Sequence, residues 1–277
     1  MANEIEKGAL YVVATPIGNL SDITERAKKV LAEVDFVAAE DTRVSGLLLS
    51  RFDIKKSIVN YFEHNKKSAG EKIVSELLSG KSCALVTDAG TPAISDPGTE
   101  LCAYARENGI KVIPVPGACA AITALCATGF DSRRFIFEGF LPQDGEKDEV
   151  LTSLVNEKRS VIFYEAPHRL KKTLSELYNA LGDREICLCR ELTKINEEFV
   201  ITTLSGAISM YEEKEPRGEY VLVLGGTKKS EGAFWESLSV QQHVEFYIDK
   251  GLSKMDAIKA CAKDRGVAKN SIYKEML

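Results

Sequence analysis

Short apolar runs alternate with helix-period segments along the first 115 residues, and this alternation constrains the fold more than any other feature of the chain. Runs near 10–14, 36–39, 58–61, 83–86 and 111–115 read as strands. Between them, helices are expected at 22–33, 43–51, 69–78 and 99–108. In the first, Ala27, Val30, Leu31 and Val34 form the apolar stripe and Asp22 is the expected cap. Gly80 closes the third. Strands separated by helices pair in parallel, and a parallel sheet is covered on both faces.

Four of these strands run into loops of unusual composition, at 15–19, 40–43, 63–65 and 87–97. In an open α/β sheet, ligands bind beyond the carboxyl ends of the strands, so parallel strands would bring these loops to one cleft. The richest stretch is Leu85-Val86-Thr87-Asp88-Ala89-Gly90-Thr91-Pro92-Ala93-Ile94-Ser95-Asp96-Pro97-Gly98. Gly90 and Gly98 reach backbone angles closed to other residues, while Pro92 and Pro97 fix theirs. Asp88 offers a carboxylate to a small polar ligand, although the composition also suits an ordinary strand-to-helix turn. Pro116-Gly117-Ala118-Cys119-Ala120-Ala121 opens a small, apolar helix at 118–128. Its small residues either let an anion reach unpaired N–H groups or let the helix pack closely on a sheet.

A second α/β segment begins near Phe135, with strands near 161–164, 186–189, 198–202 and 220–224 and helices at 147–156, 168–181 and 205–211. The expected divisions are residues 1–117, 118–226 and 233–277. The stretch 225–232 reads as a linker and lacks the Gly-Lys-Ser/Thr order of a phosphate loop. The last division reads as a helical appendix: Ser253 caps one helix, Gly266 makes a turn, and Asn270 or Ser271 opens another. This shape is helix-turn-helix-like. From Lys250 onward, Lys/Arg at 250, 254, 259, 263, 265, 269 and 274 outnumber acids at 256, 264 and 275. The appendix is either a solvated helix pair or an element that contacts RNA or a second subunit.

Several function classes fall away. A net charge of −5 over 277 residues argues against a uniformly basic nucleic-acid-coating surface. Seven Cys, at 83, 102, 119, 126, 187, 189 and 261, read as free thiols buried in a reducing cytosol, and Cys187 and Cys189 share one face of a strand. The polar start at 1–8 does not read as a signal peptide, and no apolar run is long enough to span a membrane. The Asn19-Leu20-Ser21 sequon is therefore empty. No GxGxxG follows the first strand, and no serine-nucleophile, kinase or metal-ligand pattern is present. A metal site is not expected.

Seven motifs, in order and with family-like spacing, carry a resemblance. They are Thr15-Pro16-Ile17-Gly18-Asn19-Leu20, Ala39-Glu40-Asp41-Thr42-Arg43, Thr87-Asp88-Ala89-Gly90-Thr91-Pro92, Pro116-Gly117-Ala118, Phe137-Glu138-Gly139-Phe140-Leu141-Pro142, Tyr164-Glu165-Ala166-Pro167-His168-Arg169 and Pro216-Arg217-Gly218-Glu219. Over 10–226 the chain resembles the ribosomal RNA small subunit methyltransferase I family of the tetrapyrrole methylase superfamily. The helical tail is also similar to that family's appendix.

The resemblance implies two α/β domains with S-adenosylmethionine (SAM) in the cleft between them, in a cytoplasmic homodimer. It implies methylation of the ribose 2′-oxygen of a cytidine in the decoding region of 16S ribosomal RNA, within the assembled or nearly assembled small subunit. By motif position it implies SAM contacts from Asp88, Ala89, Gly90, Thr91 and Ile94, and from Ala118, Cys119 and Ala120. The last three stand where the superfamily often has Ser or Thr. Pro16, Tyr164, Leu192 and Gly218 transfer by position only. Glu63, Glu165 and His168 are candidate bases for the ribose hydroxyl. Arg43, Asn65, Arg169, Lys194 and Arg217 are candidate RNA contacts; the cations would meet phosphates or close salt bridges. Two competing expectations are methylation of a corrin precursor and a non-catalytic SAM- or RNA-binding regulator.

Overall fold

The computed structural model describes residues 4–228, 235 and 238–276. The chain divides into two compact units, Met1–Gly226 and Thr227–Leu277.

The first unit begins with β1 (Leu10–Val13), α1 (Glu25–Glu33), β2 (Phe36–Ala39), α2 (Thr42–Arg51) and β3 (Ser57–Asn60). It continues with α3 (Lys66–Leu78), β4 (Cys83–Val86), α4 (Thr99–Glu107), β5 (Val112–Val115) and α5 (Ala120–Thr128). The strands form one all-parallel sheet in the order β3-β2-β4-β1-β5. β2 and β4 are buried at every residue because helices cover both faces. Tyr11, Val13, Val37 and Ala84 pack under Ala27, Val30 and Leu31 on one face. Leu10, Ala38 and Leu85 pack under Ile73, Leu77 and Leu101 on the other.

The cap of α1 differs from expectation. Thr24, not Asp22, caps it, accepting the Ala27 N–H at 3.0 Å. Asp22 lies in a 3-10 turn that the Asn19 side chain starts by accepting the Ser21 N–H. The two polar residues compete as caps, and Thr24 wins because the apolar stripe begins three residues after it.

The rest of the unit carries β6 (Phe135–Phe140), α6 (Glu146–Leu154), β7 (Ser160–Glu165) and α7 (Pro167–Leu181). Then come β8 (Glu185–Arg190), β9 (Glu198–Thr203), α8 (Leu204–Met210) and β10 (Tyr220–Leu224). Their sheet has the order β6-β7-β10-β8-β9 and is mixed: only β6 and β7 pair in parallel. β6 escapes the apolar-run reading because Glu138 and Gly139 interrupt it, and a register shift between Phe137 and Gly139 absorbs them. One face packs Phe163, Leu188 and Leu222 against α7. The other packs Ile162, Cys187, Cys189 and Val223 against Ala121, Ala124 and Leu125 of α5. The small residues of α5 thus serve close packing on this second sheet.

Cys187 and Cys189 do share a face, with sulfurs 3.7 Å apart. The expectation of buried thiols holds for Cys83, Cys187, Cys189 and Cys261; Cys102 and Cys119 are half-buried and Cys126 is exposed. The expected linker starts too early. The Gly225 N–H donates to the Glu185 carbonyl and its carbonyl accepts from buried Arg184, so 225 and 226 belong to the first unit. Residues 229–232 lie outside the described ones, as do 233, 234, 236, 237 and 277 of the expected appendix.

In the second unit, α9 (Val240–Asp249), α10 (Lys254–Asp264) and α11 (Lys269–Glu275) enclose Val244, Ile258, Cys261 and Ile272. Ser253 caps α10 as expected. α11 starts at Lys269, ahead of Asn270 and Ser271, with no side-chain cap. Arg265 turns inward, donating to His243 Nδ1 at 3.2 Å and to the Leu238 carbonyl at 2.5 Å. Lys259 pairs with Asp256 at 2.9 Å. These two cations therefore support the helices rather than stand as free charges.

Candidate active site in a cleft of the first unit

The loops after β1 and β4 are locked together. Thr15 and Gly90 exchange backbone hydrogen bonds of 2.8 and 3.2 Å. The Thr15 hydroxyl donates to the Thr87 carbonyl at 3.2 Å. Beyond Gly90 the chain turns tightly, with Ala93 and Ser95 in the left-handed region at φ of 66° and 60°. Each such residue costs about 1–2 kcal/mol, so the surroundings must hold the turn. Gly98 closes it, because a Cβ there would stand 3.0 Å from Leu85 and 3.2 Å from the Ala93 nitrogen. The Thr91 hydroxyl donates to the Ala118 carbonyl at 2.9 Å and ties the loop to the start of α5.

The opposite wall comes from the second sheet. β7 is antiparallel to β10 and β10 to β8, so the ends of β7 and β8 and the start of β10 share one edge. The Tyr164 hydroxyl accepts the Ala121 N–H at 3.1 Å, which anchors the first turn of α5. Between the walls lies a cavity of about 440 Å³. That size falls within the roughly 300–1,000 Å³ of small-molecule sites.

Ten of the expected residues line this cavity: Ala89, Gly90, Thr91, Ile94, Cys119, Ala120, Tyr164, Glu165, His168 and Leu192. Pro16 is buried, and its neighbour Ile17 lines the cavity instead. Ala118 contributes only its carbonyl, to Thr91. Asp88 is exposed outside the lining and accepts the Asp41 N–H at 3.2 Å, stapling the β2 and β4 loops together. Gly218 serves close approach: at φ 82°, a Cβ there would stand 2.6 Å from the Glu191 side chain.

Two candidate bases need correction. Glu63 lies outside the cavity lining, after the edge strand β3, and pairs with Lys66 at 2.7 Å. Glu165 lines the cavity, but its carboxylate accepts the Ala166 N–H at 2.8 Å and the Thr173 hydroxyl at 2.5 Å. It also lies 3.1 Å from Arg169 Nε in an ion pair that is not aligned as a hydrogen bond. Such a carboxylate holds the start of α7. His168 is exposed at the cavity rim.

Four of the five candidate RNA contacts serve local structure. Arg43 grips Asp41 with bonds of 3.1 and 2.6 Å, which holds the Asp41 carboxyl down at about 2. Asn65 accepts the Phe62 N–H and donates to the Asn60 carbonyl, at 2.8 and 3.0 Å, and so shapes its own loop. Arg169 donates to the Leu141 carbonyl at 2.5 Å. Lys194 bridges Glu191 and Glu219, each at 2.9 Å. Arg217 is exposed. All five stand outside the cavity lining.

Asp96, Glu219, Ile17 and Phe140 line the cavity without having been singled out from the sequence. For Asp96 a signal existed: it is a carboxylate in the turn of highest Gly and Pro content. Burial, followed by the charge of Glu40, pushes its carboxyl up to about 6, with Thr87 opposing and Asp88 adding. Burial and Asp88 also raise Glu40. Among the described residues there is no group of three or more His, Cys, Asp or Glu able to hold a metal.

Residues 9–208 match the family described as Tetrapyrrole (Corrin/Porphyrin) Methylases. A ribosomal RNA small subunit methyltransferase I from Halalkalibacterium halodurans is 49% identical over 272 residues, covering 97% of this chain and 94% of the relative. The chain belongs to the ribosomal RNA small subunit methyltransferase I family. A member from Thermotoga maritima is 46% identical over 219 residues, which cover 99% of that relative but 79% of this chain. A solved uroporphyrin-III C-methyltransferase from Thermus thermophilus, complexed with S-adenosylhomocysteine, superposes with a TM-score of 0.58. It is 18% identical and covers 78% of this chain and 97% of its own, a likeness of fold.

Proposed function

We propose that this protein transfers a methyl group from SAM to the ribose 2′-oxygen of a cytidine in the decoding region of 16S ribosomal RNA, within the assembled or nearly assembled small subunit. The observation that carries the reading is the cavity, on whose walls the locked β4 loop and the α5 start meet residues 164–168 of a family member. We take the two sheets to mark two domains divided at 117/118, with the donor held between them.

The cavity fits SAM. Ile17, Ile94, Leu192 and Val221 supply apolar wall for an adenosine; Cys119 gives α5 no side-chain cap, so with the Ala121 N–H taken by Tyr164 the helix start at Ala120 is what is offered to a carboxylate. Carboxylates at the wall suit a positively charged ligand. When bound, SAM supplies an activated methyl, so positioning accounts for much of the rate. Ala89, Gly90 and Thr91 hold the donor and His168 meets the incoming nucleotide at the rim. Arg217, exposed, is offered to phosphates; Arg43, Lys194, Arg169 and Glu165 hold the loops in place. The working form is a cytoplasmic homodimer; among the described residues no helix is long and apolar enough to cross a membrane.

Radiolabelled methyl transfer from SAM to small subunits lacking the modification, and separately to protein-free RNA, tests this reading. Label is expected on one cytidine ribose of the decoding region, with the subunit the better substrate. Absence of label from both, with SAM still bound, overturns it.

Gly139 gives a second test. A Cβ there would stand 2.7 Å from the Ser95 hydroxyl, in a backbone at φ 68°. Gly139→Ala is expected to displace the cavity loop and weaken SAM binding roughly tenfold, about 1.4 kcal/mol. Calorimetry showing wild-type affinity would mean that Ser95 can move without consequence.

A further inference from the structure

The cavity is lined by three carboxylates, Asp96, Glu165 and Glu219. Two are occupied: Glu165 by Ala166, Thr173 and Arg169, and Glu219 by Lys194 at 2.9 Å. Among the described residues, no cation pairs with Asp96. The hydroxyl of buried Thr87 donates to Glu40 Oε2 at 3.5 Å and only partly offsets the upward push on the Asp96 carboxyl. A hydroxyl carries one proton, so it cannot donate to both carboxylates at once. Glu40 and Asp96 thus share a pocket with fewer donors than acceptors, and the arrangement favours taking up a proton. Asp96 is the member of this pair that lines the cavity.

We propose that Asp96 is the general base of methyl transfer, a role that rests on reading the cleft as the RNA methylation site. The ribose O–H bond breaks and its proton passes to a carboxylate oxygen of Asp96. The O–CH3 bond forms as the S–CH3 bond breaks, its electron pair staying on sulfur and neutralising the sulfonium. The proton then leaves to water, restoring the carboxylate.

The groups around Asp96 set the pH at which it works. Glu40 faces it from the end of β2, Asp88 from the end of β4, and Tyr164 from β7. Glu165, His168 and Glu219 line the same cavity, and Arg43 of α2 lies in the field of Asp88. Burial and Glu40 raise its carboxyl to about 6, so it is ionised at neutral pH and more basic than an ordinary aspartate. A bound sulfonium favours the carboxylate and moves this value down.

The test compares the intact wild-type chain with Asp96→Asn and Asp96→Glu. Single-turnover transfer to unmodified small subunits is followed at saturating SAM from about pH 5.5 to 8, and SAM affinity is measured by calorimetry. Asp96→Asn is expected to bind SAM yet lose about 10²–10⁴-fold in rate at neutral pH. The wild-type rate should fall about tenfold per unit below its apparent pKa, a limb that Asp96→Glu keeps at lower rate and Asp96→Asn lacks. An Asn variant with wild-type saturated rate and only a raised SAM Kd overturns the proposal, making Asp96 an anchor for donor charge. An unchanged pH limb in Asp96→Asn also overturns it. If wild-type enzyme labels the cytidine and these results follow, only the role of Asp96 falls. If wild-type enzyme labels no RNA, the functional reading falls with it.

Discussion

Arg184→Ala is expected to destabilise the protein by about 3–5 kcal/mol, a large fraction of the stability of an ordinary domain. Arg184 is only 6% exposed. Its guanidinium donates to the carbonyls of Gly225 at 3.0 and 2.5 Å, Leu154 at 3.0 Å and Glu157 at 3.2 Å. It thereby ties the end of β10 to the turn after α6, beside the start of β8. Truncation leaves those carbonyls without donors and opens a cavity, and each unmet buried acceptor costs about 1–3 kcal/mol. Arg184→Lys should recover only part of the loss, because an ammonium lacks the planar fork that reaches three directions. Denaturant unfolding monitored by circular dichroism measures both variants. A loss below about 1 kcal/mol for Arg184→Ala would mean that water replaces the guanidinium at little cost.

Ala120→Trp is expected to reduce SAM affinity by about 100-fold or more, equivalent to about 2.7 kcal/mol, with little change in stability. Ala120 is the first residue of α5 and lines the cavity. Long side chains on a helix lean toward its N-terminus, so an indole at this position enters the cavity rather than the core beneath Ala121 and Ala124. Calorimetry of SAM binding paired with thermal unfolding separates a blocked site from a damaged fold. Unchanged affinity in a folded variant would place the donor elsewhere.

The first sheet was legible because its helices and strands carry local signals. Fully apolar runs such as Cys83–Val86 announce strands buried on both faces, and Ala27, Val30 and Leu31 announce the helix that covers them. The second sheet was less legible. Periodicity does not encode strand direction, so the antiparallel pairing of β10 with β7 and β8 is invisible in the chain. β6 was hidden by Glu138 and Gly139, whose interruption makes sense only when Ser95, forty-four residues earlier, is seen against Gly139.

The candidate site divides the same way. By itself the sequence determined the loops that meet at the cleft, because Gly, Pro and Asp reveal a turn through backbone chemistry that acts locally. It also determined the family, through ordered motifs. Tertiary structure alone decided which polar groups of those loops remain available. Arg43, Asn65, Glu63 and Glu165 look as reactive in sequence as any others, yet each is held by a neighbour in its own loop or the next helix. Asp96 differs because its surroundings are a buried hydroxyl and two other carboxylates rather than a cation. Hydrogen-bond partners and burial depend on groups brought together from distant parts of the chain, so only the folded arrangement separates a structural charge from one free to move a proton.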